Sequence, residues 1–170
     1  MFPHNIRFFG EGGIERLVIN DSGDTRPGQD NTNRLGTGTT RWTEIFAVND
    51  TINTSDEREK YIEDIPDSWL NAAANIHQIR YKWLDGGKRW HIGYGAQSVY
   101  QALLDANVED PLQISFLCRD VLMDEDSNRV PLIDEKTGQP VDRWSLRIGE
   151  LNTLKMAYIE RQLNKLSNPD

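Results

Sequence analysis

The sequence has 170 residues and a formal net charge of -8, with one cysteine and no apolar run that approaches the length of a membrane span. The negative charge leaves no basic stripe for phosphate groups, so we expect no nucleic-acid partner, and the lack of an apolar run predicts no membrane partner. The single cysteine, Cys118, rules out an internal disulfide and suits a reducing cytoplasm.

The first third of the chain is predicted to be rich in strands and turns. Apolar patches at residues 6–9 and 14–19 are separated by glycines, a pattern typical of short strands joined by glycine turns. Residues 20–40 are polar and contain one large apolar side chain, Leu35. They form either a linker or part of a structure whose core comes from other chains. Residues 41–47 then predict a strand.

Residues 55–60 allow two interpretations. In the first, Ser55 is the N-cap of a helix that ends near Pro66, with Asp56 in the first turn, where the helix dipole favours negative charge. In the second, Ser55 is a nucleophile and Lys60 is its general base. Side chains five residues apart on an ideal helix point roughly 140° away from each other, so this pair requires Ser55 to lie at or before the cap.

Arg58 has two conceivable roles in the catalytic interpretation. A lysine acts as a base only when burial or nearby positive charge lowers its pKa towards neutrality. Arg58 either supplies that positive charge or steadies an oxyanion.

The remainder of the chain alternates helical and strand patterns. Ser68 is the predicted N-cap of a short helix, and another helix is predicted from about Gln97. Between them, a turn at residues 85–88 is flanked by alternating apolar residues, which predict a β-hairpin: Ile79, Tyr81, Trp83, Trp90, Ile92 and Tyr94. Residues 111–123 predict a strand in which the thiol of Cys118 is buried.

Residues 124–140 are acidic and rich in turn residues. They lack the regular aspartate spacing and the closing glutamate of a calcium loop, so we expect a solvated loop and no metal site. A short strand at residues 142–147 follows and leads into the last helix, which is predicted to cover residues 148–166.

The last helix carries apolar side chains at spacings of three, four and three residues, the pattern of a coiled-coil seam: Met156, Ile159, Leu163 and Leu166. This seam covers only about two heptads. A second apolar set is expected to pack on the globular part of the chain: Ile148, Leu151, Leu154 and Tyr158. The alternative is a single amphipathic helix that lies on its own domain.

The motif formed by Ser55, Asp56, Arg58 and Lys60 resembles a known family. It is similar to the S-D-x-R-x-K opening of the intramolecular chaperone auto-processing domain, which lies at the C-terminus of phage endosialidases, tailspikes and tail fibres.

The resemblance extends over most of the chain. Residues 81–97 contain Y-K-W and R-W-H-I-G-Y-G-A-Q, which are similar to the family's F-x-W and R-R-H-I-G-F-I-A-Q and depart from them at Trp90 and Gly95. Residues 30–47 are similar to the pattern D-N-x-x-x-L-G, R-W, I-Y-A upstream of the family's processing site. Residues 142–147 resemble the family's short D-R-Y/W strand.

This resemblance implies an α+β domain at residues 55–170, with a long C-terminal helix in a trimeric coiled coil. A β-rich segment of an intertwined stem precedes it at residues 1–54. The resemblance also implies cleavage between Thr54 and Ser55 by a serine–lysine dyad in which Lys60 is the base. The residues expected to assist or to position the reacting groups are Asp56, Arg58, His91 and Gln97. No cofactor is expected.

The function implied by the resemblance is that of a self-processing chaperone. The domain forms a homotrimer, aligns three chains so that the stem of its own polypeptide winds in register, and then cuts itself free. The stem would remain in the virion tail, and the chaperone part would be released in the host cytoplasm. The alternative is an uncleaved trimeric cap or receptor-binding tip of a phage fibre, in which Ser55 only caps a helix. A hydrolase acting in trans is disfavoured because the sequence has no second motif for a substrate cleft.

Overall fold

The computed structural model describes residues 5–37, 40–49, 55–84, 87–124 and 130–167. The chain divides into two compact units, Met1–Ala47 and Val48–Asp170. The predicted domain boundary after Thr54 falls outside the described residues and stays a prediction.

The first unit is a three-stranded antiparallel sheet in the order β1 (Ile6–Phe9), β2 (Glu15–Ile19) and β3 (Thr25–Pro27). The predicted pair of short strands joined by a glycine turn is confirmed as β1 and β2. Gly12 and Gly13 adopt φ angles of 73° and 72° in that turn, a left-handed conformation that a side chain would strain.

Strand β3 lies in the polar segment for which the sequence predicted no strand. It pairs with β2 because a side chain fixes the turn between them: Asn20 Oδ1 accepts hydrogen bonds from the backbone N–H groups of Ser22 at 3.0 Å and Asp24 at 2.8 Å. Asparagine commonly stabilises turns in this way, so the turn rather than apolar alternation produces the strand pair.

Most large apolar side chains of the first unit are exposed. Val18 is fully buried, whereas these others are exposed: Ile6, Phe8, Phe9, Ile14, Leu17, Leu35, Trp42, Ile45 and Phe46. A small sheet needs a packed apolar face to be stable in water. The described residues of this unit supply little of that packing themselves, which fits a segment whose core comes from other chains.

The strand predicted at residues 41–47 is wrong for the single chain. These residues form no strand, and Phe46 is 91% exposed. Their apolar side chains suit a half-buried strand, but none of the described residues lies beside them as a pairing strand. A strand is stabilised by its neighbour rather than by propensity alone.

The second unit combines three helices with two small antiparallel sheets. The helices are α1 (Asp67–Asn75), α2 (Ala96–Asp105) and α3 (Ile148–Ser167). The sheets pair β4 (Ile79–Tyr81) with β5 (His91–Gly93) and β6 (Leu117–Val121) with β7 (Asp142–Leu146). The helix-and-sheet content agrees with the predicted α+β class, and the described part of the chain contains no helix long and apolar enough to cross a membrane.

The core of the second unit lies where the three helices meet strand β6 and the chain segment between α2 and β6. Leu103 and Leu151 are fully buried, and Ala72 and Ala73 let α1 approach its neighbours closely. As predicted, Leu151 and Leu154 are buried and Tyr158 is half-buried, so α3 packs one face on its own domain. The prediction that Ile148 packs there is wrong: this residue starts the helix and is exposed.

Helices α1 and α3 run antiparallel, and side chains of α3 bind both ends of α1. Lys155 Nζ donates hydrogen bonds to the carbonyl oxygens of Ala73 at 2.6 Å and Ile76 at 2.7 Å, at the C-terminal end of α1. Arg161, further along α3, forms an ion pair at 2.6 Å with Asp67, the first residue of α1. The lysine therefore satisfies carbonyl groups that a helix end leaves unpaired.

Two predicted element boundaries are wrong. Helix α1 starts at Asp67 after Pro66, so Ser68 lies inside the helix and is not its cap. The strand predicted at residues 111–123 is shorter than expected, because Asp110 caps a 3-10 turn at Pro111–Gln113 and strand β6 covers only Leu117–Val121. On β6, Cys118 is half-buried rather than buried.

The predicted solvated loop at residues 124–140 is described in part, since residues 125–129 lie outside the described residues. The described portion is more ordered than predicted. Backbone bridges join Met123 to Pro131 and Ile133 to Pro140. Asp134 Oδ1 accepts hydrogen bonds from Thr137 and Lys136, which lower the pKa of Asp134. Among the described residues, no three His, Cys, Asp or Glu side chains are grouped to hold a metal ion.

Candidate functional site

A 3-10 turn at Glu57–Glu59 replaces the helix that was predicted to end near Pro66. Lys60 is already extended, with φ -122° and ψ 141°, and ends the turn. Helices in proteins depend on an apolar face that packs. The apolar side chains that follow do not pack, since Tyr61 is 89% exposed and Ile62 is exposed as well. The helix prediction is therefore wrong because the apolar side chains of this segment have no surface on which to pack.

Ser55 and Lys60 are brought together by this turn. Lys60 Nζ donates a hydrogen bond to Ser55 Oγ at 2.5 Å. Ser55 precedes the turn and Lys60 leaves it in an extended conformation, so the two side chains escape the divergence that a continuous helix would impose. A hydroxyl and an amine in direct contact have the geometry of a nucleophile and its base.

The turn is capped by Asp56, so the prediction that Ser55 is the N-cap is wrong. Asp56 Oδ1 accepts a hydrogen bond from the backbone N–H of Arg58 at 3.0 Å. The hydroxyl of Ser55 is consequently free of a capping role and faces Lys60.

Arg58 is paired with Asp56 through its side chain as well. Arg58 Nε donates to Asp56 Oδ1 at 2.9 Å, and Nη2 contacts Oδ2. The side-chain hydrogen bond from Arg58 lowers the pKa of Asp56, and the same interaction raises the pKa of Arg58. In the described residues Arg58 forms no hydrogen bond with Ser55 or Lys60, and its pairing with Asp56 shapes the turn.

His91 and Gln97 are not brought to the Ser55–Lys60 pair. His91 lies on β5, where its ring stacks on Tyr81 at 5.3 Å between centroids and meets Trp83 edge-on at 6.5 Å. Gln97 is exposed in the first turn of α2. Within the described ranges, neither residue forms a hydrogen bond with Ser55 or Lys60, and their predicted roles stay predictions. Thr54, on the other side of the predicted scissile bond, lies outside the described residues.

The Ser55–Lys60 pair is exposed to solvent. A lysine serves as a base when burial or neighbouring cations favour its neutral amine. In the described residues of one chain, no side chain covers the pair. Ser55 and Lys60 are therefore joined by a hydrogen bond, and the described residues of one chain leave both side chains exposed.

Lys155 is a charged residue whose importance the sequence interpretation missed. Burial lowers the pKa of Lys155, and its ammonium group still holds two carbonyl oxygens of α1. The spacing contained a signal, because Lys155 lies four residues after Leu151 and three before Tyr158, on the face of α3 that packs inward. Its role is to join two helices, remote from the Ser55–Lys60 hydrogen bond in the chain.

Comparison with known proteins agrees with the motifs. Residues 55–108 match a peptidase family described as chaperone of endosialidase. Side tail fiber protein pb1 of Escherichia phage T5 is 28% identical to this chain over 176 residues, an alignment that covers 92% of this chain and 12% of that protein. The chain thus spans a small part of this relative's length.

Two solved structures are similar to this chain. One is the carboxy-terminal domain of the bacteriophage T5 L-shaped tail fiber with its intra-molecular chaperone domain. It has a TM-score of 0.75 and 26% identity, and the match covers 96% of this chain and 44% of that chain. The other is a crystal structure of a novel intramolecular chaperon, with a TM-score of 0.51 and 27% identity over 65% of this chain and 99% of that one. The resemblance found in the sequence is confirmed.

Proposed function

We propose that this chain is part of a phage tail fibre or tailspike that folds with the help of its own chaperone domain, because residues 55–108 match a family described as chaperone of endosialidase. Residues 55–170 act as the intramolecular chaperone, and their partner is the upstream stem of the same polypeptide. The domain then releases itself by cleaving the bond between Thr54 and Ser55.

The hydrogen bond between Lys60 Nζ and Ser55 Oγ is the observation that carries this proposal. With Lys60 neutral, its nitrogen accepts the hydroxyl proton as Ser55 Oγ attacks the carbonyl carbon of Thr54. The carbon–nitrogen bond breaks and Lys60 returns the proton to the departing Ser55 amine, which leaves an ester. Water hydrolyses that ester, so that the upstream product ends in the Thr54 carboxylate and the released domain begins at Ser55.

The exposed side chains support assembly as a homotrimer. The predicted seam residues of α3 are all exposed in the single chain: Met156, Ile159, Leu163 and Leu166. Leu151 and Leu154 lie on a different face of α3, which packs on the domain. Trimerisation through this seam would hold three stem segments together and raise their effective concentration, which offsets the entropy lost in pairing strands from different chains. The poorly packed first unit is the kind of segment that needs this help.

Similarity to tail-fibre proteins supports a place in the virion tail. A T5 side tail fiber protein and a T5 L-shaped tail fiber domain are among the proteins similar to this chain. In our proposal the stem stays in the virion tail, and the chaperone is released in the host cytoplasm during phage assembly.

Intact-mass measurement of freshly expressed protein tests the cleavage. The wild-type chain is expected to give two products whose masses define the bond between Thr54 and Ser55. Ser55→Ala and Lys60→Ala are each expected to leave the full-length chain, because one lacks the nucleophile and the other the base. Glu109→Ala, which removes an exposed carboxylate outside residues 55–66, is the control and should be cleaved normally. A lysine variant that is cleaved as fast as wild type would contradict the dyad.

Refolding tests the chaperone role separately. Cleaved stem that has been denatured is expected to refold far less completely than uncleaved Ser55→Ala protein, because the released stem has lost the domain that aligns its chains. Equal refolding yields would exclude a chaperone role even if cleavage occurs.

A second candidate is an uncleaved trimeric cap or receptor-binding tip. The observation in its favour is the solvent exposure of Ser55 and Lys60, which a purely structural turn would share. Wild-type trimers that keep their full-length mass would support this candidate over self-cleavage.

A further inference from the structure

One face of the β4–β5 hairpin is basic, aromatic and exposed. We call it the hairpin surface and define it as Arg80, Lys82, Trp90 and Ile92. Arg80 pairs with Ile92 across the hairpin, and the Arg80 guanidinium and Lys82 ammonium lie 4.3 Å and 4.6 Å from the centre of the Trp90 ring. Trp90 is 57% exposed and Ile92 is 80% exposed. Cations held over an aromatic ring beside an open apolar side chain form a surface suited to binding.

The charge of this hairpin is opposite to that of the chain. Residues 79–93 contain four Lys or Arg and one acidic residue, although the protein as a whole carries a net charge of -8. Residues 55–66, which we call the junction segment, contain five acidic residues and two basic ones. Complementary charge of this kind directs association and fixes the register of partners.

The junction segment is also suited to binding as an added strand. Lys60 and Pro66 have extended backbone angles, residues 60–66 form neither a helix nor a strand of their own, and Tyr61 and Ile62 are exposed. The β4–β5 sheet has two strands, so within the described residues both of its outer edges are open. An extended segment adds readily to such an edge, with backbone hydrogen bonds for affinity and side chains for specificity.

We propose that, in the assembled protein, the hairpin surface of one copy binds the junction segment of a second copy and thereby activates the second copy's Ser55–Lys60 pair. This inference rests on the proposed function, since it names the partner that switches on self-cleavage.

The connection between the two surfaces favours a second copy over the same chain. The junction segment enters α1 at Pro66, and the hairpin begins at Ile79, beyond the other end of that helix. Helix α1 has nine residues and is therefore about 14 Å long. Both of its ends are tied to α3, by Arg161 and by Lys155. A junction segment that reached its own hairpin would have to turn back along α1, whereas the hairpin of another copy carries no such constraint.

Binding of this kind would supply what the single chain lacks. The hairpin surface would exclude water from Lys60 and place the cations of Arg80 and Lys82 nearby. Both effects favour the neutral amine, the form that accepts the proton of Ser55. Arg58 does not substitute for them, because it is paired with Asp56.

The first test uses the full-length chain with Arg80→Gln and Lys82→Gln together. Cleavage is expected to slow at least about tenfold, less than the roughly 100-fold or more that loss of a general base costs, while sedimentation still shows the trimer. Lys88→Gln with Arg89→Gln removes the same charge from the same hairpin outside the defined surface, and it should cleave within about twofold of wild type. A hairpin-surface variant that cleaves at the wild-type rate would overturn the inference.

Mixed trimers decide whether the hairpin acts on another copy. The Arg80→Gln, Lys82→Gln chain is co-expressed with a Ser55→Ala chain of distinguishable mass, which has an intact hairpin and no nucleophile. In trimers that contain both, the hairpin-variant chain is expected to regain cleavage, because its junction segment meets the intact hairpin of its neighbour. Absence of rescue in confirmed mixed trimers would show that the hairpin does not act between copies.

Crosslinking tests the contact without relying on cleavage. One chain carries Ile62→Cys and the other carries Ile92→Cys, both in a Ser55→Ala, Cys118→Ser background, and the mixed trimers are treated with a short bifunctional maleimide. A covalent pair containing one chain of each kind is expected, at a yield well above that of either chain alone. No enrichment of this mixed pair would contradict the docking. If wild type proves uncleaved but the mixed pair forms, the docking stands and the proposed self-cleavage fails.

Discussion

The core of the second unit and the junction segment of the same unit differ in how far a single chain buries their side chains. In the core, Leu103 and Leu151 are fully buried, and Lys155 pairs with the carbonyl groups at the end of α1. In the junction segment, Tyr61 is exposed, and Ser55 and Lys60 are open to water. The core side chains are buried within one chain, whereas Ser55 and Lys60 form their hydrogen bond on the surface.

This difference indicates how one chain can separate folding from chemistry. A domain with its own core folds before it meets other copies and is ready to assemble. A lysine that stays in water until assembly remains an ineffective base until then. Cleavage would therefore follow assembly, since the release of the chaperone before the stem is built would end its help.

Removal of the α3 seam should have the largest effect, the loss of the trimer, and should leave the core of the second unit folded. Ile159→Asp with Leu163→Asp places charges in the proposed trimer contact, at a cost of several kcal/mol if the contact is apolar and dry. Both side chains are exposed in the single chain, so the second unit should remain folded. Sedimentation is expected to show folded monomers with an unchanged circular dichroism spectrum. Persistent trimers would mean that α3 does not hold the copies together.

A substitution in the core should lower the free energy of unfolding of a single chain. Leu151→Ala is expected to lower the free energy of unfolding by about 3 kcal/mol, because a fully buried leucine leaves a cavity. In the monomeric seam variant, Met156→Ala is the control on the exposed face of the same helix, and its effect should stay within about 0.5 kcal/mol. Denaturant unfolding measures both, and equal effects would contradict the assignment of the two faces of α3.

Loss of the Lys155 link between α3 and α1 should lower the free energy of unfolding somewhat less than the loss of Leu151 from the core. Lys155→Met keeps the length of the side chain but leaves the carbonyl groups of Ala73 and Ile76 without their donor. We expect a loss of about 2 kcal/mol in the free energy of unfolding, the usual range for unpaired buried acceptors. Lys165→Met, at the exposed end of the same helix, should change stability by less than about 0.5 kcal/mol. A Lys155→Met variant with an unchanged free energy of unfolding would show that water takes over the hydrogen bonds of the ammonium group.

The smallest effect concerns the turn beneath the Ser55–Lys60 pair. Arg58 lowers the pKa of Asp56, so the Asp56 carboxylate favours the folded turn above about pH 3.9, its ordinary pKa, and this contribution is lost as pH falls through the lower folded value. In an NMR titration, the midpoint for Asp56 should lie below about 3.9 and should rise in Arg58→Gln. Identical midpoints in the two proteins would contradict the ion pair.

Parts of the structure with local or repetitive causes were predictable from the sequence. The glycine turn between β1 and β2, the antiparallel pairing of β4 with β5, and helix α3 are found where the residue patterns indicate them. The alternation did not predict the faces of that pairing, because Ile92 lies opposite Arg80 and is exposed. The condition that Ser55 must precede the cap was also predictable, and the structure meets it with Asp56 as the cap. Each of these features depends on residues close together in the chain.

Two of the failed predictions share a physical cause. The strand at residues 41–47 and the helix ending near Pro66 carry the right residue types but have no surface to pack on in one chain. The role of Lys155 was hidden because a lysine in a helix normally faces water. The roles of His91 and Gln97 came from the family motif, and the local pattern around them contains no information on which distant residue they would meet.

The most direct test of the account is a time course of intact mass for the wild-type chain and for the Ile159→Asp, Leu163→Asp variant, each with Ser55 and Lys60 unchanged. The account predicts that trimeric wild type is cut between Thr54 and Ser55, and that the folded monomeric variant keeps its full-length mass over the same period. A monomer cleaved as fast as the trimer would show that the Ser55–Lys60 pair is active without assembly. A wild-type trimer that stays whole would contradict self-cleavage itself.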